Sequence, residues 1–379
     1  MAGRREDDIL RKWFEELVIN PNPVISSLCY SILRIEPYST CPHACAYCFR
    51  RWAAETRKNL INIGQIKAFC RLANFIAARG IKTIPFRIST LCDPFSELER
   101  RFKMTLKLLR VARKKRIPIT LSTKSSLVAE DPWIYEIEQL SQLGLVAVQF
   151  TLITLKESLS KKLEPMAPLP SERLDAMERL HEKGVPIILR LQPIIPGLND
   201  SPNSLREVIM EAKVSGAERV IIECLRVKTG DPFSKEIGLD ENSMVPYYGS
   251  KYLLGVDHLY MKRMSELVRA IVDALGMSFS GCKETLFSLY TAENCCGIDL
   301  LKKACIRITL KEILGKEKGT ENLDGLLNEL SKDERFIESH LAYFPRPIAK
   351  KIRAHQKVLK RLFSSEATRI FIVIGAKRS

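Results

Sequence analysis

Between residues 30 and 225 the chain alternates short apolar runs with amphipathic stretches, and this alternation limits the fold more than any other feature. Six runs read as β-strands, at 31–36, 85–89, 118–122, 145–151, 186–192 and 220–224. The stretches between them read as helices. Residues 64–78 place Ile66, Phe69, Cys70, Ala73 and Ile76 at helical spacing, and Gly80 follows as a C-cap. Residues 101–114 carry Met104, Leu108 and Val111 on one face. Asp131-Pro132 predicts a helix start, with aspartate as N-cap and proline in the first turn. Pro170-Ser171-Glu172 opens another helix, and 204–214 forms a further one. Strands alternating with helices at this spacing form βαβ units around a parallel sheet. Six units predict an α/β fold, a partial (β/α)6 barrel of the TIM type, with its chemistry at the C-terminal ends of the strands.

The loop after the first strand carries three cysteines, Cys41, Cys45 and Cys48, in a C-x3-C-x2-C spacing. Thiolates this close converge on one centre, and soft thiolates select zinc, copper(I) or iron–sulfur clusters. Three ligands are one short of a closed structural zinc site or an ordinary four-cysteine cluster. A zinc knuckle completed by His43 or by a distant ligand is the alternative to a cluster with one open position.

The chain has 379 residues, 11 cysteines, and a charge of +16 from 60 Lys+Arg against 44 Asp+Glu. The odd cysteine count, the length and the charged start do not read as a secreted disulfide framework. No apolar run is long enough to span a bilayer, so a cytoplasmic location and no membrane partner are expected. The basic excess attracts polyanions, and nucleic acid is one expected partner; a solvated basic surface is the other reading. It is densest near the C-terminus, at Arg346, Lys350, Lys351, Arg353, Lys357, Lys360 and Arg361.

Beyond residue 225 the alternation is lost. Residues 249–255 read as a loop, 257–275 as one long helix, 300–314 as helix or strand, and 369–374 as a short strand after a basic helix. Three parts are expected: an N-terminal helical extension over 1–29, a core domain over 30–225, and a mixed, mainly helical extension over 226–379. Cys282, Cys295, Cys296 and Cys305 cluster in that extension. They could hold auxiliary metal, act as redox or hydrogen-donating thiols, or be structural.

The cysteine triplet, with Tyr47 just before its last member, resembles the cluster loop of the radical SAM superfamily. Further segments resemble its spore photoproduct lyase-like branch. They are 89–101 with Asp93-Pro94-Phe95, Thr123-Lys124-Ser125, Glu164-Pro165 with 170–174, and 193–200. The resemblance covers roughly residues 30–225.

It implies that Cys41, Cys45 and Cys48 hold a [4Fe-4S] cluster whose fourth iron chelates S-adenosylmethionine (SAM). It further implies reductive cleavage of SAM to a 5′-deoxyadenosyl radical that abstracts hydrogen from a substrate. Tyr47 and Phe49 would flank the cluster and adenine. Asp93 would accept from the SAM amino group, although the superfamily often has a Gly-Gly-Glu type segment there. Lys124 would pair with the carboxylate, and Ser122, Arg190 and Gln192 would line the same mouth. Cys92 and Cys296 are the catalytic candidates.

Three functions follow as expectations. The first is a lyase-like radical enzyme acting on nucleic acid. The second is a radical modification of protein, RNA or a metabolite, aided by a second iron–sulfur cluster. The third is a non-catalytic zinc-dependent nucleic-acid-binding protein. Either radical reading calls for a one-electron reductant such as a ferredoxin or flavodoxin.

Overall fold

The computed structural model describes residues 11–53, 59–316 and 323–364. Its centre is a seven-stranded parallel sheet in the order β1-β2-β3-β4-β5-β6-β10. The strands are β1 Arg34–Ile35, β2 Phe86–Ile88, β3 Ile119–Thr123, β4 Val146–Thr151, β5 Ile187–Ile194 and β6 Ala217–Cys224. A separate antiparallel sheet comprises β7 Arg226–Lys228, β8 Val245–Pro246 and β9 Leu253–Gly255. β10, Ser278–Gly281, pairs with β6 and adds a seventh strand to the sheet from beyond residue 225.

All six expected strands form, some shorter or longer at their ends. Two helix expectations are corrected. Residues 101–114 divide into Glu97–Phe102 and Met104–Lys115, because Lys103 takes a left-handed conformation at φ 53. The Asp131–Pro132 bond is cis, and the helix begins one residue later, at Trp133. Residues 249–255 contain β9 and are not wholly a loop. The strand expected at 369–374 lies outside the described residues.

Strand residues alternate faces. Phe86, Ile88, Leu121, Val148, Phe150, Leu189, Leu191, Val220 and Ile222 join the main core with the surrounding helices. Ala147, Ile188 and Ile221, of the opposite parity, pack together in a second cluster with Cys295, Cys296, Ile298 and Leu301. The segment after β10 therefore fills the concave inner face of the sheet. Asp299 receives Arg219 of β6 through two bonds of 2.9 and 2.6 Å. The Lys302 amide donates to Gly144 O, and the Cys305 amide donates to Thr83 O, both at 3.0 Å. Thr83 and Gly144 precede β2 and β4, so the segment ends at the N-terminal floor of the barrel. Gly297 allows the passage: its φ is 71, and a Cβ there would lie 2.5 Å from Ile188 Cδ1.

An early and a late helix of the described residues pack on one another. The C-terminal helix, Arg346–Ser364, packs on the helix Pro23–Leu28 ahead of β1. His355 bridges Ser26 Oγ at 2.9 Å and Ile19 O at 2.8 Å. Buried Arg307 donates to Cys29 O at 3.0 Å and to Ser26 O. Those carbonyls lie at the C-terminal end of that short helix, where backbone acceptors lack helical partners.

Candidate active site

The cysteine loop leaves β1 at the C-terminal end of the barrel, as a strand-end loop should. It is held from several sides. The Ala46 amide donates to Leu163 O at 2.8 Å, and the Met166 amide donates to His43 O at 3.3 Å. His43 Nδ1 meets Met166 O at 3.2 Å, and its Nε2 stands 3.2 Å from Asp93 Oδ2. Nδ1 is thus bonded within the protein, and Nε2 faces a buried carboxylate. Among the described residues, no three His, Cys, Asp or Glu side chains are gathered as a single metal ion requires.

Asp93 is the junction of three loops. Besides His43, it accepts from Phe95 N at 2.9 Å, Thr123 Oγ1 at 2.8 Å and Lys124 N at 2.7 Å. Its own amide donates to Cys41 Sγ at 3.4 Å. Burial alone would push its pKa up, but the charge and hydrogen bond of His43 and the two amides hold it at about 2. The expectation gave this carboxylate to the SAM amino group. In the structure its oxygens are filled by donors of the chain, and it ties the cysteine loop to the loops after β2 and β3.

Glu36, just past β1, does similar work and was not singled out from the sequence. Its carboxylate accepts from Ser89 Oγ and Thr90 N, both at 2.7 Å, and from Thr90 Oγ1 at 2.5 Å. Ser89 itself sits at φ 66. Cys92 follows in this loop. Burial, with Glu36 adding, raises its pKa.

A second buried group lies beneath the loop. The Tyr47 hydroxyl donates to Glu164, which also pairs with Arg173 at 2.5 Å. Glu164 and Arg173 are wholly buried. Lys124 Nζ stands 3.9 Å from Glu164 and 5.7 Å from the centre of the Tyr47 ring. Burial opposes the Lys124 charge, but Cys45 and Glu164 keep its pKa above the ordinary lysine value. Phe49 reaches the other way, with Arg226 at 5.7 Å and Lys283 at 6.0 Å from its ring centre. Arg51 donates to both carboxylate oxygens of Asp231, at 3.0 and 3.2 Å. The cysteine loop is therefore fastened to the C-terminal half as well.

Ser122, Arg190 and Gln192 meet in one network inside the barrel. Gln149, which sequence reasoning missed, is its centre. Its Oε1 accepts from Ser122 at 3.1 Å and Arg190 at 2.6 Å, and its Nε2 donates to Cys296 O at 3.1 Å. Arg190 also donates to Gln192. The Gln192 Nε2 is buried with no hydrogen-bond partner among the described residues. Glu223 completes this surface, with Arg226 at 2.7 Å and Lys283 at 3.5 Å. A sequence signal existed for Gln149 and Glu223. Each is a polar residue at the inward parity of an otherwise apolar strand.

The C-terminal cysteines divide. Cys295 Sγ and Cys296 Sγ are 3.9 Å apart, and Cys282 packs in the same interior cluster. The Cys295 thiol, hydrogen-bonded between them, lowers the pKa of both Cys282 and Cys296. Cys305 does not join them. Its sulfur lies 3.7 Å from Glu334 O at the barrel floor, and burial pushes it up to about 12. The expected four-cysteine auxiliary set is thereby reduced to three, because the polypeptide has crossed the barrel before it reaches residue 305.

The donor set suits an iron–sulfur cluster with bound SAM. Three thiols share one loop, a buried ammonium stands beside them, and an unpaired amide donor lines the interior. Residues 35–209 match the model of the radical SAM superfamily. Its members are enzymes that use a [4Fe-4S] cluster and SAM.

The chain is 28% identical over 170 residues to an uncharacterized protein of Methanocaldococcus jannaschii, a match covering 44% of this chain and 61% of that protein. It is 22% identical over 201 residues to an uncharacterized protein of Mycobacterium tuberculosis, covering 51% and 58% respectively. The matches thus span about three-fifths of these curated relatives. Among solved structures it resembles a spore photoproduct lyase variant with bound AdoMet and dinucleoside spore photoproduct. There the TM-score is 0.55 at 14% identity, over 66% of this chain and 76% of the other. That likeness is one of fold. Among the described residues no helix is long and apolar enough to cross a membrane.

Proposed function

We propose that this protein is a radical SAM enzyme whose cluster is held by Cys41, Cys45 and Cys48 and whose substrate enters the polar barrel interior. The observation that carries the reading is the convergence of Asp93 on the cysteine loop, with Lys124 beside the same thiols. Held there by Cys41, Cys45 and Cys48, the cluster with SAM would supply one-electron cleavage of the S–C5′ bond and so the radical chemistry that removes a hydrogen atom from substrate.

The chain's own residues prepare that chemistry. Lys124, a charged group out of bulk water, is available to the SAM carboxylate. Ser122, Arg190 and Gln192 offer polar groups for ribose, adenine or substrate. Tyr47 and Phe49 exclude water beside the thiols. Asp93 acts in this account as a positioning residue: its amide donates to the Cys41 sulfur and its carboxylate accepts from the Lys124 amide.

The lyase-like reading on nucleic acid draws support from the net charge of +16 and the cation-rich mouth of Lys124, Arg190, Arg226 and Lys283. A second reading is a radical modification aided by another iron–sulfur cluster. It draws support from the meeting of Cys282, Cys295 and Cys296 inside the barrel.

The test is anaerobic reconstitution, followed by iron counting and incubation with SAM and dithionite. One cluster gives about four irons per chain and two give about eight. 5′-Deoxyadenosine should form; an intact cluster that yields none rules out the proposal.

A further inference from the structure

The C-terminal helix, Arg346–Ser364, has no part in the site above. Its inner face is anchored: Ile348, Ala349, Ile352, His355, Leu359 and Phe363 are buried, and Lys351 donates to Glu15 O. Its outer face carries Arg346, Lys350, Arg353, Lys357, Lys360 and Arg361, all exposed. They follow one another at steps of four, three, four, three and one residues. Residues three or four apart share a helix face, so the cations form a single row. At 1.5 Å per residue, the row runs for about 22 Å. The helix contains no acidic residue. Within this row Lys360 pairs with Asp324 at 2.7 Å.

We propose that this row is a docking surface for the phosphate backbone of a nucleic acid. An evenly spaced line of like charges fits a partner whose opposite charges also repeat along a line. Arginine adds two-pronged phosphate contacts to the lysines' point charges. A lipid surface fits less well. A helix lying on a membrane inserts its apolar face, and here that face is committed to the protein core. Contacts of this kind position the polyanion without reading its sequence. The inference deepens the nucleic-acid reading of the substrate, and its test is separable because binding is measured without turnover.

The full-length protein is titrated with fluorescently labelled single-stranded DNA, duplex DNA and RNA at stepped KCl concentrations. Binding should weaken linearly on a log–log plot. Engagement of four cations by duplex DNA corresponds to a slope of about −3.6. The triple variant Lys350→Glu, Arg353→Glu, Lys357→Glu should lose at least tenfold in affinity at low salt and flatten the slope by about 2 to 3. The milder Lys350→Gln, Arg353→Gln, Lys357→Gln should fall between. Both should keep the wild-type melting curve and the wild-type rate of 5′-deoxyadenosine formation. Reversal of three exposed cations elsewhere, Lys67, Lys213 and Lys235, should leave the slope unchanged. The proposal is overturned if the triple variant binds like wild type, if the control set weakens binding equally, or if wild type binds only phosphatidylserine vesicles.

Discussion

His43 Nε2 and Asp93 Oδ2 stand 3.2 Å apart, joining the cysteine loop to the loop after β2 through two buried side chains. Asp93 also terminates the hydroxyl of Thr123 and the amides of Phe95 and Lys124. Asp93→Ala leaves these donors buried without their acceptor, at about 1 to 3 kcal/mol each where water cannot replace it. Two effects are expected: a melting temperature several degrees lower, and less than half the wild-type iron after reconstitution. Asp93→Asn should retain most of the stability and still incorporate iron poorly. Calorimetry and iron analysis on the same preparations separate the two effects.

Glu164 lies between Arg173, Lys124 and the Tyr47 hydroxyl with its side chain fully buried. Removing one member of a buried ion pair strands the other charge. Glu164→Gln should cost roughly 3 to 5 kcal/mol in urea unfolding. The double variant Glu164→Leu, Arg173→Met removes both charges and should recover part of that loss. A double variant no better than the single one would show that Arg173 matters for its bonds to Pro168 O and Thr151 O more than for the ion pair.

Single alanine substitutions of Cys41, Cys45 and Cys48 should each abolish 5′-deoxyadenosine formation. Cys305→Ala should change neither iron content nor that activity, since its sulfur faces Glu334 O at the barrel floor. Iron lost on removal of Cys305 would place it in a metal site after all.

Acid should destabilise the junction of the helices Pro23–Leu28 and Arg346–Ser364. His355 is buried; burial, with Arg307 and then Lys351 nearby, lowers its pKa to about 3 from an ordinary 6.5. The unfolded chain therefore binds a proton that the folded chain refuses. The contribution of neutral His355 is complete above pH 6.5 and is lost as pH falls from there toward 3. Its full size is on the order of 5 kcal/mol. His355→Gln should reduce this acid dependence in denaturation curves at pH 7, 6, 5 and 4. An unchanged pH profile would assign the acid sensitivity to other groups.

The six strands of residues 30–225 were legible because each is a short apolar run bounded by turn residues. The front cysteines were legible because their spacing is local. What escaped depends on contacts distant in sequence. β10 reads as an ordinary stretch after a long helix, and only its pairing with β6 makes it part of the sheet. Gln149 is one amide in an apolar strand until Ser122, Arg190 and Cys296 surround it. Cys305 was grouped with Cys295 and Cys296 by proximity in the chain. A ten-residue segment that crosses a barrel separates such neighbours.

That crossing segment also bears on how the protein can be made. The inner wall of Ala147, Ile188 and Ile221 receives its cover from residues synthesised well after the last of the six leading strands. The helix beside β1 waits longer still, for Arg307 and His355. A growing chain on the ribosome must therefore hold an unfinished barrel, with one apolar wall bare, until residues 295–301 have emerged. A fragment cut at residue 225 would retain the cysteine loop and strands yet stay exposed to self-association.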